Sequence, residues 1–137
     1  MEILKQEIER IEASIEYDEA DTFVMENSID AITNAGYKQE AIVPLLQLLE
    51  RHPMTYFGDP GAIVHFIERF NPEHEKYLVE SLKRTPTITT IWMLNRCING
   101  SGHTEELIGL MKEVAGRTDV DQEIRERAQK YVSFQTH

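Results

Sequence analysis

Apolar residues return every three or four positions along nearly the whole chain, and no stretch of strict apolar-polar alternation competes with that rhythm. Such a pattern buries its apolar surface as amphipathic helices packed side by side. Ile3, Leu4, Ile8, Ile11 and Ile15 form the first stripe and predict a helix over residues 2–16. The polar run Tyr17-Asp18-Glu19-Ala20-Asp21 interrupts it. Phe23, Val24, Ile29 and Ile32 then predict a second helix over 19–35, with Gly36 as the residue just past its end. Ile42, Val43, Leu45, Leu46, Leu48 and Leu49 make a third, nearly all buried helix that ends near His52-Pro53, with Pro44 placed early, where a missing amide donor costs least.

Three helix starts follow in close succession. Asp59-Pro60, Asn71-Pro72 and Thr85-Pro86 each set a cap-forming residue before a proline. They lead into Ile63, Val64, Phe66 and Ile67, then Tyr77, Leu78, Val79 and Leu82, then Ile88, Ile91, Trp92, Leu94 and Ile98. Gly100-Ser101-Gly102 ends the sixth helix. Leu107, Ile108, Leu110 and Met111 define a seventh, closed by Gly116, and Thr118 with Asp121 three residues on resembles a capping box for an eighth that holds Ile124, Ala128 and Val132. The expectation is an all-α chain of about eight helices without strands. Leu45, Leu78 and Leu107 fall in like places, as do Leu49, Leu82 and Met111, at intervals of 33 and then 29 residues. A degenerate period with two helices per unit predicts antiparallel pairs in a short α-solenoid of the HEAT or armadillo kind. An irregular helical bundle would show the same periodicity.

At 137 residues the whole chain, 1–137, reads as a single domain, with enough apolar content to bury a core without staples. Nothing approaches the roughly 18 apolar residues of a membrane span, and the charged opening Met1-Glu2-Ile3-Leu4-Lys5-Gln6-Glu7 is unlike a signal peptide. A single cysteine calls for no oxidising compartment, so the expected location is the cytoplasm. Net charge of −10 argues against direct binding of nucleic acid or of anionic membranes. Residues 1–30 hold ten acidic side chains against two basic ones, whereas the remainder is close to neutral. The asymmetry points to a cationic partner.

Catalysis finds little support. His65 and Glu68 share a helix face, yet no second matching motif completes a metal or acid-base site, and His65 reads as a partly buried, hydrogen-bonded histidine. Phe57-Gly58-Asp59-Pro60-Gly61 lacks the spacing of phosphate-binding loops and reads as a tight turn with an N-cap and an aromatic plug. Cys97 lies among Leu94 and Ile98 as a small hydrophobe without a Cys-His-Asn arrangement, and Trp92 reads as core. No catalytic residue, metal ligand or cofactor is expected. The acidic run is different, because like charges crowded together repel one another and a stable fold gains nothing from them. Glu12, Glu16, Asp18, Glu19, Asp21 and Glu26, with Tyr17 as an aromatic anchor, are therefore the expected contacts to a basic protein.

His52-Pro53, Phe57-Gly58-Asp59-Pro60-Gly61, Val64-His65, Glu68 and Trp92-Met93-Leu94-Asn95-Arg96 resemble the middle of small all-helical immunity proteins of bacterial polymorphic-toxin and contact-dependent growth inhibition systems. The resemblance covers residues 40–100. It implies a cytosolic protein that binds the C-terminal domain of its cognate toxin, often a basic nuclease, and blocks its active site or its substrate surface; with the acidic run, the expected mechanism is non-enzymatic, substrate mimicry by charge together with steric block. The rival expectation is a HEAT-like adaptor or scaffold module for protein–protein contacts.

Overall fold

The computed structural model describes residues 2–100 and 102–137, and among them it contains eight α-helices and no strand. They are α1 (Glu2–Ala13), α2 (Thr22–Asn34), α3 (Ile42–Arg51), α4 (Gly61–Glu68), α5 (His74–Arg84), α6 (Ile88–Gly100), α7 (Thr104–Gly116) and α8 (Gln122–Thr136). A single 3-10 turn, Gln39–Ala41, runs into α3, so that Pro44 falls in the first turn of that helix.

The helix ends follow local chemistry. At the end of α2 the amide of Tyr37 donates to the Ile32 carbonyl and that of Gly36 to Thr33, and Gly36 takes a φ of 91°. This is a Schellman closure, in which glycine accepts the left-handed conformation without a Cβ penalty. Thr87 and Thr90 each accept the other's backbone amide at 2.9 Å and form the reciprocal cap of α6.

Several boundaries differ from the sequence expectation. α1 stops at Ala13 and α2 begins at Thr22, because residues 16–20 are held by backbone bonds that compete with the helix. Asp59, Asn71 and Thr85 do not cap. The prolines after them lie ahead of α4, α5 and α6, whose first residues are Gly61, His74 and Ile88. Thr118 is likewise not the cap of α8; Asp121 is, and its carboxylate accepts the Glu123 amide at 2.8 Å. Ser101 lies outside the described residues.

The core runs the length of the molecule. Ile42, Leu45, Leu46, Leu48 and Leu49 of α3 are all fully buried, as are Ile63, Val64 and Ile67 of α4 and Leu78 and Leu82 of α5. Complete burial of one such side chain contributes roughly 1.5–3 kcal/mol. The principal packing partners are close in chain order: α1 lies against α2 and α3, α2 against α4, α3 against α5, α5 against α6, α6 against α7, and α6 and α7 against α8.

Three arginines at helix ends bond back to preceding helices. The Arg51 guanidinium at the end of α3 grips Glu12 of α1 with two bonds of 2.9 Å. Arg84 at the end of α5 reaches back to Glu50 of α3 at 2.8 and 3.2 Å. Arg117, just past α7, donates to the carbonyls of Leu82 and Lys83 at the end of α5. The three arginines stand 33 residues apart on both intervals. The same interval separates Leu45, Leu78 and Met111.

Candidate functional site

The α1–α2 connection is a two-residue turn. Glu16 and Glu19 exchange both backbone hydrogen bonds at 2.9 Å, and the residues between them, Tyr17 and Asp18, take φ of 51° and 61°. Positive φ at both central positions is the geometry that Asn-Gly ordinarily supplies. Here it is filled by an aromatic and an acid. The turn is clamped from behind by the α3–α4 loop: the Tyr56 amide donates to the Asp18 carbonyl at 2.7 Å, and the Ala20 amide donates to the Tyr56 carbonyl at 3.0 Å. Below that loop Phe57 is buried as the plug.

The outcome is a prominence with Tyr17 at its tip, 99% exposed, and with Phe23 and Tyr56 also open to solvent. Glu16, Asp18 and Glu19 occupy the same turn and are exposed. The other sequence-selected acids are placed differently. Asp21 is exposed, but its carboxylate accepts the Val24 amide at 3.0 Å as the N-cap of α2. Glu26 lies exposed along α2. Glu12 is already partnered, taking the Arg51 fork and His52 Nε2 at 2.7 Å, and the Arg51 guanidinium foremost holds its carboxyl below the usual range. The turn therefore gathers Glu16, Tyr17, Asp18 and Glu19 and leaves Glu12 in a structural ion pair.

His65 and Glu68 do not form a site. His65 is exposed on α4, contrary to the expected partly buried, hydrogen-bonded histidine, and Glu68 is bound by the Arg96 guanidinium at 2.7 and 2.8 Å. Arg96 also lies over the Trp92 ring, 5.2 Å from its centroid, and Trp92 is only partly buried.

A cleft that sequence reasoning missed opens beside that ion pair. It has a volume near 500 Å³, lies where the ends of α4 and α6 meet the start of α5, and is lined by Glu68, Asn71, His74, Glu75, Cys97 and Asn99, among others. His74 is 2% exposed, and its Nε2 lies 3.7 Å from the Cys97 sulfur. Burial lowers the His74 pKa, so the imidazole is neutral at physiological pH. Burial together with Glu75 and Glu68 pushes the Cys97 thiol up to about 12, so the pair is no thiolate–imidazolium nucleophile. The only sequence trace of the cleft is the clustering of Asn71, His74 and Glu75 at a helix start, 20-odd residues from Cys97.

Compared with models of protein families, with curated proteins and with solved structures, the chain matches none. Among the described residues no three His, Cys, Asp or Glu side chains converge to hold a metal ion, and no helix is long and apolar enough to cross a membrane.

Proposed function

We propose that this chain is a non-enzymatic protein-binding module of the immunity-protein kind, which neutralises a basic toxin domain, a nuclease, in the cytoplasm. The observation that carries the reading is the clamped Glu16-Tyr17-Asp18-Glu19 turn, which holds three acids around a 99% exposed tyrosine. Tyrosine is favoured as a buried anchor of interfaces, and the surrounding acids would steer a cationic surface toward it and sit where phosphates otherwise bind. Phe23, Tyr56 and Glu26 extend the contact area. The proposed architecture is a short HEAT-like solenoid of antiparallel helix pairs. It is supported by packing confined chiefly to helices near in sequence and by the 33-residue spacing of Arg51, Arg84 and Arg117.

The adaptor reading draws on a different observation. A groove of about 360 Å³ between α1 and α3 is lined by the apolar Leu4, Ile8 and Pro44 and by the polar Lys5, Glu9 and Gln47, an amphipathic lining that suits a peptide or a helix.

Capture from native extract at low and moderate salt, comparing the natural chain with Tyr17→Ala/Asp18→Asn/Glu19→Gln, tests the proposal. The expected result is retention of a basic nuclease fragment that is released as salt rises and is held about tenfold or more weakly by the variant. Equal retention by both chains would move the binding surface away from the turn, and retention of neutral proteins alone would favour the adaptor.

A further inference from the structure

The α4–α5–α6 cleft holds two buried polar atoms that no group among the described residues satisfies: Nδ1 of His74 and Oε1 of Glu75. Leaving a buried polar group unpaired is costly, and two such atoms on residues that line one cleft mark a place where another group is meant to bond. For Glu75 the missing partner is a donor and not an acceptor. The Glu75 carboxylate takes only donors, and its other oxygen lies 3.8 Å from His103 Nε2, at the limit of an ion pair. Arg96 does not make the cleft attractive to anions, because its Nε and Nη2 are both spent on Glu68 and its guanidinium rests on Trp92. The field at the Cys97 sulfur is negative on balance, with Glu75 and Glu68 acting more strongly than Arg96. A metal ion is disfavoured by the donor arrangement, since among the described residues no three ligating groups converge.

We propose that this cleft binds a guanidinium group, whose planar fork of N–H donors would satisfy Glu75 Oε1 and His74 Nδ1 together. In that state His74 keeps its proton on Nε2, facing the Cys97 sulfur, and presents Nδ1 as the acceptor. The volume near 500 Å³ accommodates a guanidinium on a short aliphatic stem. The carrier is either a free small molecule or an arginine side chain, and the cleft is separate from the α1–α2 turn.

The test is titration of the full chain with agmatine and, separately, with acetyl-arginine amide, followed by the His74 imidazole resonances and the backbone amides of α5 and α6. A saturable shift centred on His74 and Glu75 is expected, weakened tenfold or more by Glu75→Gln and unchanged by Asp18→Asn. Binding of both probes assigns the cleft to a guanidinium on any carrier, and binding of agmatine alone assigns it to a free ligand. Absence of a saturable shift with either probe, a shift that Glu75→Gln leaves intact, or one centred on Tyr17–Glu19 would overturn the proposal. The titration of the natural chain decides alone if Glu75→Gln does not fold.

Discussion

Replacing Tyr17 by Asn and Asp18 by Gly together should stabilise the chain while weakening its hold on a basic partner. Both residues sit in the left-handed region, at φ of 51° and 61°. That conformation costs an L-residue roughly 1–2 kcal/mol, and less for Asp or Asn, whose short polar side chains bond locally. Asn at 17 removes most of the tyrosine's penalty. Glycine at 18 removes the aspartate's but loses roughly 0.5–1 kcal/mol to the freedom it gains in the unfolded chain. Taking a carboxylate away from between Glu16 and Glu19 adds a few tenths in favour of the fold. The side chains removed contribute nothing to the core, since Tyr17 is 99% exposed. The sum is a gain of about 1 kcal/mol, or a rise in melting temperature of roughly 3–5 °C for a chain of this length. Urea unfolding followed by far-UV circular dichroism would show it as a higher midpoint at unchanged slope. A midpoint equal to or below that of the natural chain would refute the strain. If the midpoint rises but affinity for the captured partner is untouched, the strain is real and the turn is not the contact.

Three further outcomes follow from the same structure. Gly58→Ala would place its Cβ 2.5 Å from the Gly61 Cα at a φ of 104°, so it should cost about 2–3 kcal/mol, read as a drop in the urea midpoint. Glu12 has its carboxyl pKa lowered by Arg51, so its contribution is present above the ordinary value of 4.5 and is lost as pH falls through the folded value. The natural chain should accordingly lose more unfolding free energy between about pH 6 and about pH 3 than Glu12→Gln does. Cys97, with its thiol at about 12 against an ordinary 9.0, should alkylate with iodoacetamide about a thousandfold more slowly than a free cysteine, and full reactivity should appear only on unfolding.

What was legible in the sequence was whatever depends on near neighbours. Leu45, Leu49, Leu78, Leu82 and Met111 declare their helices by spacing alone, and all five are fully buried. Gly36 announces the end of α2 because only a residue free of Cβ suits its φ. The acidic run pointed to residues 16–19 through composition, but the turn that gathers them depends on Tyr56, some forty residues away, and no local pattern encodes that bond. For the same reason Glu12 looked like a free surface acid until Arg51 came beside it. The cleft was invisible because His74, Glu75 and Cys97 meet only when α5 packs on α6. The equal 33-residue spacing of Arg51, Arg84 and Arg117 carries no hydrophobic signal, and only their contacts at the helix ends bring it to notice.

The Glu12–Arg51 fork ties the last turn of α1 to the last residue of α3, and those are the two segments from which the 16–20 turn and its Tyr56 clamp depart. Both supports of the prominence are thereby fixed to one another by charge-assisted bonds within a few residues of the tip. An incoming protein would find Tyr17 already in its binding geometry and would lose little side-chain and loop entropy on contact. Under the proposed function the ordering cost would have been met during folding, and collision frequency, set by the charge around the tip, would govern how fast a complex forms.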